Sequence, residues 1–136
     1  MIDSTQYFAT VKKIFFFLHS EFNISEIKEK KNGNAYYDIK YIDQTKVISI
    51  SYENIGDYLQ IIVFKLENGQ MPNYDDKSKT LHLNHLNRLA LVNAKADDFK
   101  SNNDFFKEFS AATALERQLL KAGKDLRLSL KLLPSL

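Results

Sequence analysis

Two histidines, His82 and His85, lie three residues apart in the leucine-rich stretch TLHLNHLNRLALV. On a helix this spacing can place both imidazole rings on one face, as some zinc sites require, but a usable site needs at least a third ligand. His19 is remote in the sequence, the chain has no cysteine, and it contains neither an H-E-x-x-H motif nor a calcium-binding loop. If Leu81–Leu83 is extended, the two histidines no longer share a face. We therefore expect no metal and no cofactor, and we interpret both histidines as polar positions beside a leucine stripe.

A second pattern that could do chemistry is Asp38-x-Lys40 in YYDIKY, with Glu26-x-Lys28 on the preceding predicted strand. An acidic residue two positions before a strand lysine resembles metal-dependent nucleases, in which carboxylates hold magnesium and the lysine steadies the attacked phosphate. The proline–aspartate partner of that motif is missing, and such pairs are common on solvated strands. We therefore keep this pattern only as an alternative, in which the chain is a weakly basic nucleic-acid-binding or nuclease-like protein that uses the Asp38/Lys40 strand face.

The chain lacks the other common catalytic motifs. Its four glycines are isolated, so no glycine-rich loop can cradle a phosphate, and it has no G-x-S-x-G turn. The formal net charge of +2 is well short of the basic footprint of a dedicated nucleic-acid binder. These features favour a non-enzymatic binding module over an enzyme.

The composition gives no sign of a secreted or membrane-bound protein. Without cysteine the chain forms no disulfide. The apolar run Ile14–Leu18 is shorter than a signal-peptide core, and no apolar stretch reaches the roughly 18 residues of a membrane-spanning helix. We expect a cytoplasmic protein without membrane contact, whose 136 residues form a single α+β domain, 1–136.

Hydrophobic spacing predicts the elements that must position these residues. An apolar face with spacings of three and four predicts an N-terminal helix through Phe8, Val11, Phe15, Leu18 and Phe22. Asp3, with Gln6 three positions later, is typical of a helix start.

The middle of the chain predicts a four-stranded antiparallel meander, with strands near 24–31, 35–43, 46–53 and 58–66. The connections carry turn residues and are short enough to join only antiparallel neighbours. Turns centred on Gln44-Thr45 and on Ile55-Gly56 also predict the register. Tyr37, Ile39 and Tyr41 then stand opposite Tyr52, Ile50 and Ile48, which in turn stand opposite Leu59, Ile61 and Val63.

After a loop of about a dozen residues, the remaining sequence predicts helices packed on the sheet. The final helix is expected to begin near Phe105. Residues 124–133 also alternate with period two, so a strand is the alternative there. We favour a helix, because the stripe with spacings of three and four continues unbroken from Leu115.

Four apolar or aromatic residues lie on the sheet face opposite the predicted core: Tyr36, Tyr58, Ile62 and Phe64. If the helices cover only one face, these residues form an exposed patch of the kind that marks an interface. If the C-terminal segment wraps over this face, they are buried instead. The four residues are our candidate site for a protein partner or for self-association.

The order of elements, with TKVISISYENIGDYLQIIVFKL in the meander and ALERQLLKAGKDLRLSLKLLPSL at the end, resembles that of small α+β proteins from bacterial toxin-immunity neighbourhoods. The resemblance covers the whole chain, but it depends on layout and carries no diagnostic motif. It implies a cytoplasmic protein that acts by binding another protein.

Overall fold

The computed structural model describes all residues from Met1 to Leu136 and shows an α+β fold. The elements in chain order are α1 (Ser4–Ile14), α2 (Phe17–Ser20), β1 (Glu26–Asn32), β2 (Tyr36–Ile42), β3 (Lys46–Glu53), β4 (Tyr58–Lys65), β5 (Thr80–His82), α3 (Leu83–Leu91), α4 (Ala96–Phe105) and α5 (Ala114–Leu132). None of the helices combines the length and the apolar character that crossing a membrane requires.

The N-terminal helix begins where the sequence predicts, but it is divided in two. The Asp3 carboxylate accepts a hydrogen bond from the backbone N–H of Gln6 at 2.8 Å, which caps α1. Residues two apart on a continuous helix point about 200° away from each other. The break between α1 and α2 allows Phe15 and Phe17 both to enter the core, while Phe16 stays exposed.

The sheet contains the four predicted strands as an antiparallel meander, in the order β1-β2-β3-β4-β5. The predicted register is confirmed, since Ile50 pairs with Ile39 on one side and with Ile61 on the other. The fifth strand was not predicted, because three residues are too few to show a period. β5 pairs with Ile62–Phe64, so β4 is an internal strand and not the edge of the sheet.

The two faces of the sheet differ in what covers them. The core face joins α1, α3 and α5 in a buried cluster of 24 residues. The outer face carries Tyr36, Asp38, Lys40 and Ile42 from β2, Val47, Ser49, Ser51 and Glu53 from β3, Tyr58, Gln60, Ile62 and Phe64 from β4, and Thr80 and His82 from β5. Its small apolar cluster contains strand residues and Leu66, but no helix residue. The helices therefore pack on one face of the sheet.

The long C-terminal helix confirms the helical prediction for residues 124–133, since α5 is continuous to Leu132 and Leu133 caps it. Its start is later than predicted. Phe105 belongs to the separate helix α4, and α5 begins after Thr113, whose Oγ1 accepts a hydrogen bond from the backbone N–H of Glu116 at 3.1 Å. This cap satisfies a backbone donor that the start of a helix leaves unpaired.

Candidate binding surface

The four predicted interface residues share the outer face, but they do not form one patch. The register places Tyr36 opposite Glu53 and Glu53 opposite Tyr58, which makes one row across β2, β3 and β4. Ile62 and Phe64 lie four and six positions further along β4 than Tyr58, or roughly 13 and 20 Å at the usual rise per residue. The structure thus divides the predicted site into two exposed tyrosines and two distant apolar residues.

The expected exposure is wrong for Ile62 and Phe64, which are only 5% and 8% exposed. The reason is the unpredicted strand β5. It places His82 beside Ile62 and Thr80 beside Phe64, while Val47 lies next to Phe64 on the other side. Neighbours on both sides cover these side chains, and the C-terminal helices are not part of their cluster.

The row Tyr36–Glu53–Tyr58 is the exposed part of the predicted site, and we call it the tyrosine row. Tyr36 is 36% exposed and Tyr58 is 55% exposed. Since each strand spacing is about 4.8 Å, their backbones lie roughly 10 Å apart. The Glu53 side chain is exposed, lies over the turn at Gly56, and forms no ion pair. Ile55, 80% exposed at the same turn, adds an apolar neighbour.

Hydrogen bonds hold the hairpin that carries the tyrosine row. The Asn54 side chain donates to the carbonyl oxygens of Asn34 (2.6 Å) and Ile2 (3.0 Å), which ties two turns to the N-terminal segment. The Tyr52 hydroxyl donates to the Asp57 carboxylate at 2.6 Å. Burial and this bond raise the pKa of Tyr52 to about 12, so the hydroxyl remains a donor at neutral pH. These hydrogen bonds therefore hold the turn next to the tyrosine row in place.

The Asp38/Lys40 pair predicted from the sequence is present in the centre of the outer face. The Asp38 carboxylate is buried and accepts hydrogen bonds from Ser49 Oγ at 2.6 Å and from Lys40 Nζ. Lys28 stands directly opposite Lys40, and Lys30 stands opposite Asp38. Each carboxylate oxygen of Asp38 already accepts a bond from the protein, which suits a structural role better than magnesium binding.

The remaining acidic residue of that pattern does not join Asp38. Glu26 pairs with Ile42, two positions along β2 from Lys40 and four from Asp38, and its carboxylate lies 3.8 Å from Lys28 Nζ at an exposed position. No three histidine, aspartate or glutamate side chains lie close enough together to hold a metal ion.

Both histidines line one cleft, which the sequence does not predict. His82 ends β5 and immediately precedes α3, while His85 lies in the first turn of α3. Both line a cleft of about 440 Å³, which we call the histidine cleft, together with Tyr74, Asp75, Lys77, Thr80 and Arg88. No sequence pattern predicts that Lys77 lies beside the histidines. A signal was present for Arg88, since it follows His85 by three positions on one helix.

Comparison of the chain with protein-family models, with curated proteins and with solved structures gave no match.

Proposed function

We propose that this chain is a non-enzymatic protein-binding module whose binding surface is the tyrosine row. The observation that carries the proposal is the row itself, in which two exposed tyrosines flank a glutamate without an ion-pair partner on three adjacent strands. Tyrosine is enriched among the residues that dominate binding energy at protein interfaces. Because its side chain has only two torsions, tyrosine also loses little conformational entropy when it becomes ordered on binding.

The chemistry of the row indicates what the partner presents. An arginine or lysine between the two rings would gain a cation–π contact, worth about 0.5–2 kcal/mol. The same side chain would pair with the Glu53 carboxylate, which has no cation of its own in this chain. The exposed Ile55 favours an apolar residue next to that cation. We therefore expect the partner to be a protein segment with a basic residue beside an apolar one.

The role implied by the layout resemblance agrees with this proposal. Immunity-like proteins act by binding another protein, and the tyrosine row offers a surface for that purpose. The chain also has no cysteine with which to form the disulfides that are common in secreted proteins, and we place the module in the cytoplasm as part of the same proposal.

The proposal is tested by photo-crosslinking in the native host. A photoreactive phenylalanine derivative replaces Tyr58 in one variant and Phe99, an exposed aromatic residue on α4, in a matched control. We expect position 58 to form one discrete crosslinked species and position 99 to form none. The mass of that species distinguishes a second copy of this chain from a different protein.

The partner identified by crosslinking can then be used to measure the affinity of the native chain and of its variants. Tyr58→Ala should weaken binding by about tenfold, which corresponds to about 1.4 kcal/mol. Glu53→Gln should weaken it by a smaller factor, because a solvent-exposed ion pair contributes less. Phe99→Ala should leave the affinity unchanged. Equal crosslinking at the two positions, or full affinity in the Tyr58→Ala variant, would contradict the proposal.

A second candidate function is supported by the lysines of the outer face. Lys28, Lys30 and Lys40 lie on the same face as the two exposed tyrosines. Lysines that contact phosphates next to aromatic rings that stack on bases are typical of single-stranded nucleic-acid binding. Such binding to an oligonucleotide should fall steeply as salt rises and should weaken in Lys28→Gln. The protein interface proposed above contains a single ion pair, so its affinity should fall much less with salt and should not change in Lys28→Gln.

A further inference from the structure

We propose that the histidine cleft binds the phosphate group of a small organic phosphate. Three segments converge there: Tyr74, Asp75 and Lys77 come from the 66–79 loop, Thr80 and His82 from β5, and His85 and Arg88 from α3. The volume of about 440 Å³ falls within the range of small-molecule sites, roughly 300–1,000 Å³. The cleft shares no residue with the tyrosine row, so the two proposals stand or fall separately.

The positive charges of the cleft have no partner within the chain. Neither Lys77 nor Arg88 forms an ion pair, whereas neighbouring Lys79 is paired with Glu67. Asp75 also lacks an ion-pair partner, so the cleft carries two permanent positive charges and one negative charge. An anion entering the cleft would therefore meet cationic side chains that need not first leave an existing partner.

The wall formed by the 66–79 loop is held by its own hydrogen bonds. Thr80 Oγ1 donates to the Asn73 carbonyl oxygen at 2.9 Å, next to Tyr74. The Asp76 carboxylate accepts hydrogen bonds from the backbone N–H and the hydroxyl of Ser78, at 3.0 and 2.6 Å. A site formed by held segments loses less conformational entropy when a ligand binds.

The histidines add hydrogen-bond donors to the fixed charges. His82 Nδ1 lies 3.5 Å from the Gln60 side-chain nitrogen, which can only donate. Nε2 of the same ring has no hydrogen-bond partner within the chain and can donate to a ligand when it carries a proton. Tyr74 contacts the same ring edge-to-face, with centroids 5.9 Å apart. His85 is exposed beside it on the first turn of α3.

This set of donors favours phosphate over other anions. An arginine, a lysine and two imidazole N–H groups approach from three chain segments, and a phosphate monoester offers three terminal oxygens to receive them. A planar carboxylate offers two. The cleft also leaves room beyond a phosphate group, and the exposed Tyr74 ring provides an apolar surface for the organic part of the ligand.

The test is a proton NMR titration of the native chain with phenyl phosphate at low salt and neutral pH. We expect saturable shifts of the His82 and His85 ring resonances. His19, exposed and outside the cleft, serves as a control in the same spectrum. Lys77→Gln and Arg88→Gln should each weaken binding about tenfold, and Asp75→Asn should strengthen it, because it removes the only negative charge of the cleft.

Arg117→Gln is the matched control, because Arg117 is exposed on α5, outside the cleft and without an ion pair. It should bind phenyl phosphate like the native chain. Shifts that fail to saturate, equal shifts of His19, or equal weakening by Arg117→Gln would overturn the proposal. Benzoate binding as tightly as phenyl phosphate would overturn the assignment to phosphate. Unchanged circular dichroism spectra ensure that the variants are folded.

Discussion

Arg127 on α5 binds Glu21, which lies 106 positions earlier in the chain, through two parallel hydrogen bonds. Its Nε is 2.7 Å from Oε1 and its Nη2 is 3.0 Å from Oε2 of the carboxylate. The third guanidinium nitrogen donates to Asn102 Oδ1 at 2.9 Å, and the cation lies 3.9 Å from the centre of the Phe105 ring. One buried arginine thus joins α5, α4 and the end of α2.

Replacing this arginine should destabilise the fold. Arg127→Met keeps most of the side-chain length but removes every polar contact, so we expect a loss of about 2–3 kcal/mol in the free energy of unfolding, measured with urea. Lys121→Met on the same helix is the control. Its ion pair with Asp125 is exposed, and its loss should cost under about 0.5 kcal/mol. Equal losses would mean that the Arg127 network does not stabilise the fold.

The pH dependence of stability should reflect Glu21. The hydrogen bonds from Arg127, assisted by Lys131, lower the pKa of this carboxyl. A lowered pKa in the folded state gives stability that is present above the ordinary glutamate pKa of about 4.3 and is lost as the pH falls through the folded value. Glu21→Gln should therefore be less stable than the native chain at pH 7, and the difference should shrink toward pH 3. A constant difference in urea unfolding across this range would contradict the lowered pKa.

Gly123 should resist replacement by alanine, although alanine favours helices by about 1 kcal/mol over glycine. A Cβ at this position would come within 2.9 Å of Ile14 Cγ2, where α5 crosses α1. The branched side chain of Ile14 cannot easily move aside, so we expect Gly123→Ala to cost about 1–3 kcal/mol. In an Ile14→Ala background the same change should be neutral or stabilising. A stabilising Gly123→Ala in the native chain would show that the helices are further apart.

Removal of the hydroxyl group should change the free energy of unfolding in opposite directions at two buried tyrosines. Tyr41 Oη is buried without a hydrogen-bond partner, so Tyr41→Phe should leave stability unchanged or raise it by about 1 kcal/mol. The Tyr7 hydroxyl donates to the Ile50 carbonyl oxygen at 3.0 Å, so Tyr7→Phe should cost about 0.5–1.5 kcal/mol. Both values follow from urea unfolding. Equal effects would contradict the assigned hydrogen bond.

Substitutions in the buried and in the exposed part of the predicted interface should differ in their effect on stability. Ile62→Ala removes a buried side chain and should cost about 2–4 kcal/mol. Tyr58→Ala, on the same strand and face but exposed, should cost at most about 1 kcal/mol, chiefly through lower strand propensity. Thermal unfolding distinguishes these outcomes. A larger loss for Tyr58→Ala would mean that the tyrosine row is a structural element.

The sequence by itself determined the meander and its register. Alternating residues and short turns relate each position to a neighbour a few residues away, so the row Ile39–Ile50–Ile61 followed from local spacing. The same register already places Glu53 between Tyr36 and Tyr58. The continuous stripe from Leu115 likewise determined that residues 124–132 are helical.

Tertiary structure decided what local spacing does not encode. The 66–79 loop returns a three-residue strand to the edge of the sheet, and that return buries Ile62 and Phe64 and forms the histidine cleft. The Arg127–Glu21 bond likewise joins segments at opposite ends of the chain. Closing long loops costs entropy that depends only weakly on their length. The surface that distant segments bury together therefore decides which of them come into contact. A periodic pattern along the sequence does not show how large that buried surface will be.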